Sequence, residues 1–286
     1  MRLKIAIQKK GRLNDNSIEL LRSCGLKINQ NGALLCRIKN LPIDLLFVRD
    51  DDIPTLVSEN ICDLGIVGNN ILQEKQSRNL SILKNLGFSR CRLSIAVPKD
   101  NNYTSPNDLQ NKRIATSYPN LLSQFLNKNK LQADIVPLSG SVEIAPRLDI
   151  ADAICDLVST GQTLEENNLC EVSNIFESEA VLVRSNMNSD NEKQAILNLL
   201  LRRIDGVLSA KDSKYIMFHA PKSTLQKIQK LLPGCETPTV LALDKRNDKV
   251  AVHVVSPEGV FWKTLENLKQ AGASSILVLP IEKMMQ

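Results

Sequence analysis

Residues 153–164 read Ala-Ile-Cys-Asp-Leu-Val-Ser-Thr-Gly-Gln-Thr-Leu, and this stretch indicates the fold. Ala153–Val158 is a short apolar run with one acid, which is typical of a buried parallel strand. Ser159–Thr163 leads into a helix predicted over residues 164–168. At such a turn the first backbone N–H groups point outward, glycine lets a ligand approach the backbone closely, and hydroxyls add donors. Together these groups would hold a phosphate without a lysine. An ordinary helix cap fits the same spacing, so the turn alone leaves both alternatives open.

The composition indicates which ligands are suitable. A chain of 286 residues, 43% hydrophobic and 23% charged, has room for two or three globular domains. The net charge is only +5, and the basic residues are scattered along the chain. Aromatic residues make up only 3%, so no basic stripe interleaved with aromatics is present. This excludes a nucleic-acid partner and favours small anions.

The chain lacks the patterns of several other protein classes. It has no leader-like apolar segment and no run of transmembrane length, so we expect a cytosolic protein with no membrane partner. Seven cysteines without a C-x-x-C pair, and only two histidines, argue against a zinc site or a disulfide framework. Neither common glycine-rich phosphate loop occurs. Both histidines lie in the C-terminal part of the chain, which argues against a Ser-His-Asp or Cys-His catalytic site in the rest of it.

The N-terminal third alternates strands and helices. Its expected strands are Leu3–Ile7, Ile43–Val48 and Asp63–Val67. This β-α-β order predicts a parallel, doubly wound sheet, whose ligands gather at the carboxyl ends of the strands. The candidate residues after these strands are Lys9, Gly11, Arg12, Arg49 and Gly68.

A second α/β lobe begins near residue 91. Its expected strands are Arg92–Val97, Arg113–Thr116, Ile135–Leu138 and Ala153–Val158, with helices over Pro119–Lys128 and from Ser139 through Glu143. Strands Glu171–Phe176 and Ala180–Arg184 then lead back toward the first lobe. A long helix over Asn191–Ala210 is expected to pack across that lobe, with Ile196, Leu199, Leu200, Ile204, Val207 and Leu208 on one face. Two lobes joined in this way would enclose a central cleft.

The last 70 or so residues follow a different order. The expected elements are strand Lys214–His219, helix Lys222–Leu231, strand Thr239–Leu243, a turn at Lys245–Asp248, strand Lys249–Val255, helix Glu258–Gln270 and strand Ser274–Leu279. This βαββαβ order predicts a ferredoxin-like domain.

Several segments together resemble one family over essentially the whole chain. They are Gln8–Leu13, Val48–Pro54, Asp63–Gly68, Arg113–Pro119, Ser139–Arg147, the turn at 153–164 and Gly272–Pro280. In this order they closely resemble ATP phosphoribosyltransferase, and the βαββαβ tail resembles its long, histidine-regulated form. The resemblance favours the phosphate site over the plain cap.

The resemblance implies a reaction and the residues that perform it. ATP and 5-phosphoribosyl pyrophosphate would give N1-(5-phosphoribosyl)-ATP and pyrophosphate, the first step of histidine biosynthesis, with N1 of adenine as the nucleophile. The implied phosphoribosyl pyrophosphate site is Glu143, Asp156, Ser159, Thr160, Gly161, Gln162 and Thr163. The implied ATP site is Gly11, Arg12, Gly68 and Tyr118. The implied catalytic residues are Lys9, Arg49 and Asp156, although isolated surface lysines and arginines are usually just solvated.

The resemblance also implies a metal ion, regulation and assembly. Mg²⁺ would bridge the pyrophosphate, with no protein ligand assigned. Asp50–Asp52 could bind it, although a favourable charge at a helix start explains these acids better. Histidine would inhibit by binding the C-terminal domain, with Ser274 and Ser275 as candidates. The long form is a homo-oligomer that moves between dimers and hexamers.

The implied architecture has two periplasmic-binding-protein-like catalytic lobes and a ferredoxin-like regulatory domain. Lobe I would comprise residues 1–90 and 185–211, lobe II residues 91–184 with the turn, and the regulatory domain residues 212–286. Other phosphoribosyltransferase classes place two adjacent acids before this turn, whereas Asp156 stands alone here. A two-lobed module that closes on a small anion without chemistry is the alternative, and response to both ATP and phosphoribosyl pyrophosphate would separate the two.

Overall fold

The structure is a computed structural model that describes residues 1–29, 32–77, 79–101, 103–186, 190–232, 238–244, 246–257 and 262–284. Two compact units are present. The first comprises Met1–Glu19 and Leu26–Ile196, and the second comprises Leu20–Gly25 and Leu197–Gln286. Among the described residues, no helix combines the length and apolar character needed to span a bilayer.

Strands and helices alternate through most of the described chain. The strands are β1 Leu3–Gln8, β2 Leu35–Arg37, β3 Ile43–Val48, β4 Leu64–Gly68, β5 Leu80–Asn85, β6 Cys91–Pro98, β7 Arg113–Thr116, β8 Asp134–Pro137, β9 Ala153–Val158, β10 Leu169–Ser178, β11 Ala180–Ser185, β12 Ser213–Pro221, β13 Thr239–Leu243, β14 Arg246–Pro257 and β15 Ser274–Pro280. The helices are α1 Arg12–Ser23, α2 Ile53–Ser58, α3 Asn69–Lys75, α4 Pro119–Lys128, α5 Gln162–Glu166, α6 Asn191–Lys211, α7 Leu225–Gln229 and α8 Trp262–Gln270.

The first sheet has six strands in the order β2-β3-β1-β4-β11-β5. Its centre, β3-β1-β4, is parallel, whereas β11 runs antiparallel between β4 and β5. The central strands are apolar and almost fully buried, as strands covered on both faces must be. The parallel centre therefore matches the sequence prediction, and the antiparallel additions make the sheet mixed rather than wholly parallel.

The second sheet has five strands in the order β10-β6-β9-β7-β8. Strands β9, β7 and β8 are parallel to one another. Strand β6 pairs antiparallel with β9 on one side and with β10 on the other. One hydrophobic core contains side chains from both lobes, including Val67 and Ile71 from the first lobe and Ile95, Ile114 and Leu121 from the second. The two lobes of the first unit thus share a continuous apolar interior.

The third sheet is antiparallel in the order β13-β14-β12-β15. Ile228 of α7 and Leu268 of α8 are buried in one core with Ile216, Phe218 and Val252 of the sheet, so both helices cover the same face. This is the ferredoxin-like arrangement predicted from the βαββαβ order. The fold class, two α/β lobes plus this domain, is confirmed.

Several sequence predictions need correction. Glu143 lies in one of two short 3₁₀ turns, Val142–Ile144 and Pro146–Leu148, and not in an α-helix. Ser141 before the first turn and Asp149 after the second are left-handed, and Pro146 between them has no N–H for a helical hydrogen bond, so no longer helix forms here. The sequence does not predict the edge strands β2 and β5, because β2 has only three residues and β5 has no fully buried residue to mark an inner face.

The boundaries expected between domains also differ from the structural divisions. Strand β11 belongs to the first sheet, so the chain crosses between sheets at Glu179, ahead of the boundary expected at 184. Most of α6 groups with the C-terminal residues. Its buried side chains are Leu197, Leu200, Ile204 and Ala210, only partly the predicted set. The expected helix start at Glu258 and the turn residue Lys245 lie outside the described residues.

Candidate active site

The turn after β9 presents unpaired donors. Gly161 is the N-cap of α5 and has a φ of +87°, a left-handed value that glycine adopts without strain. Because glycine has no side chain, α5 has no side-chain hydrogen bond at its N-cap. The hydroxyls on either side of Gly161 are not used as helix caps. Among the described residues, the N–H groups of Thr160, Gly161, Gln162 and Thr163 meet no acceptor. Ser159, Thr160 and Thr163 are exposed, and the turn therefore has the donor set of an anion site.

The side chain of Gln162 does not add to these donors. Its Nε2 donates to Glu166 Oε1 at 2.8 Å, one helical turn further on. The backbone N–H of Gln162 is the part of this residue that faces the turn. A Cβ added to Gly161 would meet nothing within 4 Å, so the left-handed backbone, and not crowding, explains glycine here.

Asp156 lies two residues before the end of β9 and is half-buried. Burial raises the pKa of its carboxyl, the N–H of Leu157 donating at 2.8 Å offsets part of this rise, and the charge of Glu143 adds to it. The two acids are thus close enough to influence one another electrostatically. An ionised Asp156 would retain free acceptor capacity for hydroxyl donors such as those of ribose.

The cations of the first lobe lie at strand ends. Arg12 begins α1, and its Nη1 donates to Ser159 Oγ at 3.2 Å, which brings a guanidinium from one lobe onto the turn of the other. Gly11, with a φ of +97°, precedes it. Lys9 and Arg49 each follow the paired ends of β1 and β3, and Lys9 N–H donates to Val48 O at 2.8 Å. Both side chains are exposed, and neither has a partner in the described part of the chain.

The acids after Arg49 form a 3₁₀ turn, Asp50–Asp52. Asp50 accepts a hydrogen bond from Gln8 Nε2 at 3.2 Å. Burial and then the charge of Asp51 raise the pKa of Asp50. Asp52 is the N-cap of α2 but makes no side-chain capping bond. These acids therefore contribute charge to the site edge more than they cap the helix.

Tyr118 and Gly68 lie beside Asn70. Tyr118 is only 9% exposed, burial raises the pKa of its hydroxyl, and Asn70 Nδ2 donates to its Oη at 3.1 Å. A Cβ on Gly68 would lie 2.3 Å from Asn70 Oδ1, so this glycine makes room for Asn70. Tyr118 and Asp50 line a cavity of about 560 Å³.

Arg92 was missed by the sequence reasoning. It forms a two-pronged ion pair with Glu171, which also accepts from Ser94 Oγ at 2.8 Å, and it lowers the pKa of Glu171. Arg92 Nη1 also donates to Ser159 O at 3.4 Å. Arg92 and Ser159 line a second cavity of about 540 Å³. Arg92 lies opposite Val158 in the antiparallel pairing of β6 and β9, and this pairing brings Arg92 to the turn. The order of residues in the chain does not indicate which strands pair.

The candidate regulatory serines lie at the start of β15. Ser274 pairs with His219 of β12, and Ser275 has a φ of +52° next to an irregularity in that pairing. No link between these residues and a ligand follows from this geometry.

Fold and site define a class of protein: a two-lobed α/β protein whose turn after β9 presents donors suited to an anion such as a phosphate. Residues 49–206 match the family described as ATP phosphoribosyltransferase, and residues 210–283 match the family's C-terminal domain. The chain belongs to the ATP phosphoribosyltransferase family, in its long form. This family transfers the phosphoribosyl group of phosphoribosyl pyrophosphate to ATP in histidine biosynthesis and uses a divalent metal ion.

One solved structure agrees with this assignment. The ATP phosphoribosyl transferase (HisG:HisZ) complex from Thermotoga maritima has 29% identity and a TM-score of 0.60, with 71% of this chain and 98% of that chain covered. An amino-acid ABC transporter binding protein from Bacillus subtilis has 14% identity and a TM-score of 0.45, covering 72% and 92%. The GluR0 ligand-binding core of Nostoc punctiforme has 19% identity and a TM-score of 0.44, covering 70% and 91%.

Proposed function

We propose that the turn at Ser159–Thr163 binds the 5′-phosphate of phosphoribosyl pyrophosphate and that Asp156 accepts hydrogen bonds from its ribose hydroxyls. The supporting observation is the set of unpaired N–H groups on residues 160–163 beside exposed hydroxyls. A phosphate monoester needs several such donors. Glu143, whose charge acts on Asp156, would share the ribose side of the site.

ATP would bind from the first lobe, near Gly11, Arg12 and Gly68, with its adenine beside Tyr118. Adenine N1 forms a bond to ribose C1 while the bond from C1 to the pyrophosphate oxygen breaks, and the electron pair leaves with pyrophosphate. Lys9 and Arg49 are free to offset the charge of the two polyanions. An ionised Asp156 would stabilise positive charge that develops on the ribose ring, so catalysis rests on positioning and electrostatics.

The metal ion is proposed to be Mg²⁺, held chiefly by the pyrophosphate oxygens. The described residues include no group of three or more His, Cys, Asp or Glu side chains that could hold a metal ion alone. Asp50 and Asp51 supply the oxygen ligands that Mg²⁺ prefers, line the 560 Å³ cavity, and repel one another. The residues therefore fit a substrate-held cation with one or two carboxylates nearby. Such an ion neutralises charge on a leaving pyrophosphate.

The remaining proposals concern regulation, assembly and location. The ferredoxin-like residues 212–286 would bind histidine as a feedback inhibitor, and the chain would form a homo-oligomer between a dimer and a hexamer. Residues 1–90 with β11 would act as lobe I, and residues 91–178 would act as lobe II. A cytosolic location agrees with a biosynthetic enzyme whose substrates are ATP and a sugar phosphate.

Pyrophosphate release tests the activity directly. Purified protein with ATP, phosphoribosyl pyrophosphate and Mg²⁺ is expected to release pyrophosphate, and added histidine is expected to slow it. Absence of release, even with the nucleotide product removed, would contradict the assigned reaction. Release that histidine does not alter would contradict only the proposed feedback.

The Thr160→Val variant tests the turn. Loss of one hydroxyl donor typically costs on the order of 1 to 3 kcal/mol. The KM for phosphoribosyl pyrophosphate is therefore expected to rise about tenfold, with the KM for ATP nearly constant. Thr55→Val, at an exposed position on α2, is the matched control. Unchanged kinetics in Thr160→Val would place the phosphate elsewhere.

A further inference from the structure

The N-terminus of α4 obtains its hydrogen-bond acceptors from the other lobe. The helix begins at Pro119, which has no N–H, and its N-cap Tyr118 makes no side-chain capping bond. The next two N–H groups, of Asn120 and Leu121, donate to Glu74 Oε1 at 2.9 Å and to Glu74 Oε2 at 3.0 Å. A first helical turn normally needs such partners. Here one carboxylate from α3 supplies two of them.

Glu74 is well placed for this task. It is only 8% exposed, so its charge is removed from water. Two N–H donors and the positive end of α4 offset that cost. Asn120 Nδ2 also donates to the Glu74 carbonyl at 2.9 Å. Ile71 and Leu121 belong to the same hydrophobic core around these polar contacts, so the carboxylate cannot exchange its partners freely with solvent.

Asn70 lies one turn before Glu74 on the same face of α3. It is 5% exposed, and its Nδ2 donates to Tyr118 Oη at 3.1 Å. Its backbone N–H and its Oδ1 both bond to Ser178 Oγ, each at 2.9 Å, which fixes the amide. One face of α3 therefore holds Tyr118 at two points. Asn70 holds the hydroxyl, and Glu74 holds the backbone that follows it.

We propose that Glu74 is a positioning residue that sets Tyr118 for the adenine of ATP. The inference rests on the proposed placement of adenine beside Tyr118. Glu74 and Tyr118 line the same 560 Å³ cavity, together with Asp50 of the first lobe. The turn proposed to receive the phosphoribosyl group follows another strand, β9, whereas the hydrogen bonds described for Glu74 go to Asn120 and Leu121. Glu74 should therefore affect the binding of ATP more than that of phosphoribosyl pyrophosphate.

The Glu74→Gln variant tests this role in the full chain. Glutamine keeps one acceptor but turns an NH₂ toward the second N–H, which loses its partner. We expect the KM for ATP to rise on the order of tenfold. The KM for phosphoribosyl pyrophosphate should change less than about twofold. Gln73→Ala, at an exposed position on the same helix, is the control and should leave both KM values unchanged.

A merely structural role would give a different result. A rise of both KM values together, or a lower melting temperature with both unchanged, would overturn the proposal. If Glu74→Gln does not fold, Glu74→Asp keeps the charge on a side chain too short to accept from both N–H groups and should still raise the KM for ATP selectively; an unchanged value there would overturn the proposal.

Tyr118→Ala separates this inference from the function on which it rests. If Tyr118→Ala leaves the KM for ATP unchanged while Thr160→Val raises that for phosphoribosyl pyrophosphate, the adenine placement is wrong and the inference fails with it. If Tyr118→Ala raises the KM for ATP and Glu74→Gln does not, the adenine placement stands and the positioning role alone is refuted.

Discussion

At Asp156 the requirements of stability and of the proposed chemistry oppose one another. Burial raises the pKa of this carboxyl above its ordinary value, so folding makes its ionisation less favourable. The proposed role beside ribose requires the ionised form. A group whose pKa is raised in the folded state contributes most stability below its unfolded pKa, and that contribution is lost as the pH rises through the folded pKa. In that role the partly buried carboxylate is an unfavourable charge for the folded state.

The Asp156→Asn variant should accordingly be more stable than the wild type at about pH 8, and this advantage should disappear near about pH 4. Its kcat/KM should fall on the order of a hundredfold, because asparagine cannot supply the negative charge. Urea denaturation at both pH values, with steady-state kinetics, measures the two effects. Asp134→Asn, an exposed acid in the same sheet, is the control. A variant that is less stable at pH 8 would contradict the argument.

Residues of the site differ in how far the sequence reveals them. The turn at 159–163 could be predicted because strand, glycine and hydroxyls follow one another in the chain. Glu74 could not, because its partners Asn120 and Leu121 are more than 40 positions away and only the packing of α3 against α4 joins them. Arg92 depends in the same way on the register of two antiparallel strands.

Elements were predictable where burial imposes a regular pattern. Strands β3, β7 and β9 and helix α4 have the predicted bounds, since apolar runs or clear end signals define them. Strand β13 also has the predicted bounds, although most of it is exposed. Edge strands β2 and β5 expose much of their surface. Whether such a segment forms a strand depends more on pairing with its neighbour than on its own residues.

The packing of helix α2 on strand β4 depends on Gly65. A Cβ there would lie 2.6 Å from Ile53 Cγ2 and 3.0 Å from Val57 Cγ2, both on fully buried side chains. Gly65→Ala is therefore expected to lower the free energy of unfolding by about 1 to 3 kcal/mol. The melting temperature should fall by several degrees. Thermal unfolding measures the change, with Thr55→Ala on the exposed side of α2 as control. An unchanged melting temperature would show that α2 moves freely away from β4.

At the scale of the whole molecule, α6 belongs to both compact units. The division falls between Ile196 and Leu197, so the greater part of the helix groups with the ferredoxin-like residues. The chain's end also binds this helix: Met284 N–H donates to Gly206 O at 3.1 Å, and a Cβ on Gly206 would lie 2.5 Å from Met284 O. Deleting the residues after Ala210 would therefore disturb α6 as well as removing the proposed histidine site, and the intact chain gives the cleaner test.

Hydrogen exchange on the intact chain can locate the two ligands separately. A ligand at about a hundred times its Kd stabilises its site by about 2.7 kcal/mol, so amides that exchange by local opening should slow by up to about a hundredfold. Phosphoribosyl pyrophosphate should protect residues 156–166, and histidine should protect amides within 213–232 and 274–284. Lysine at the same concentration is the control for histidine. Protection of residues 156–166 by histidine would mean that it competes at the active site, and the regulatory role proposed for the second unit would then be wrong.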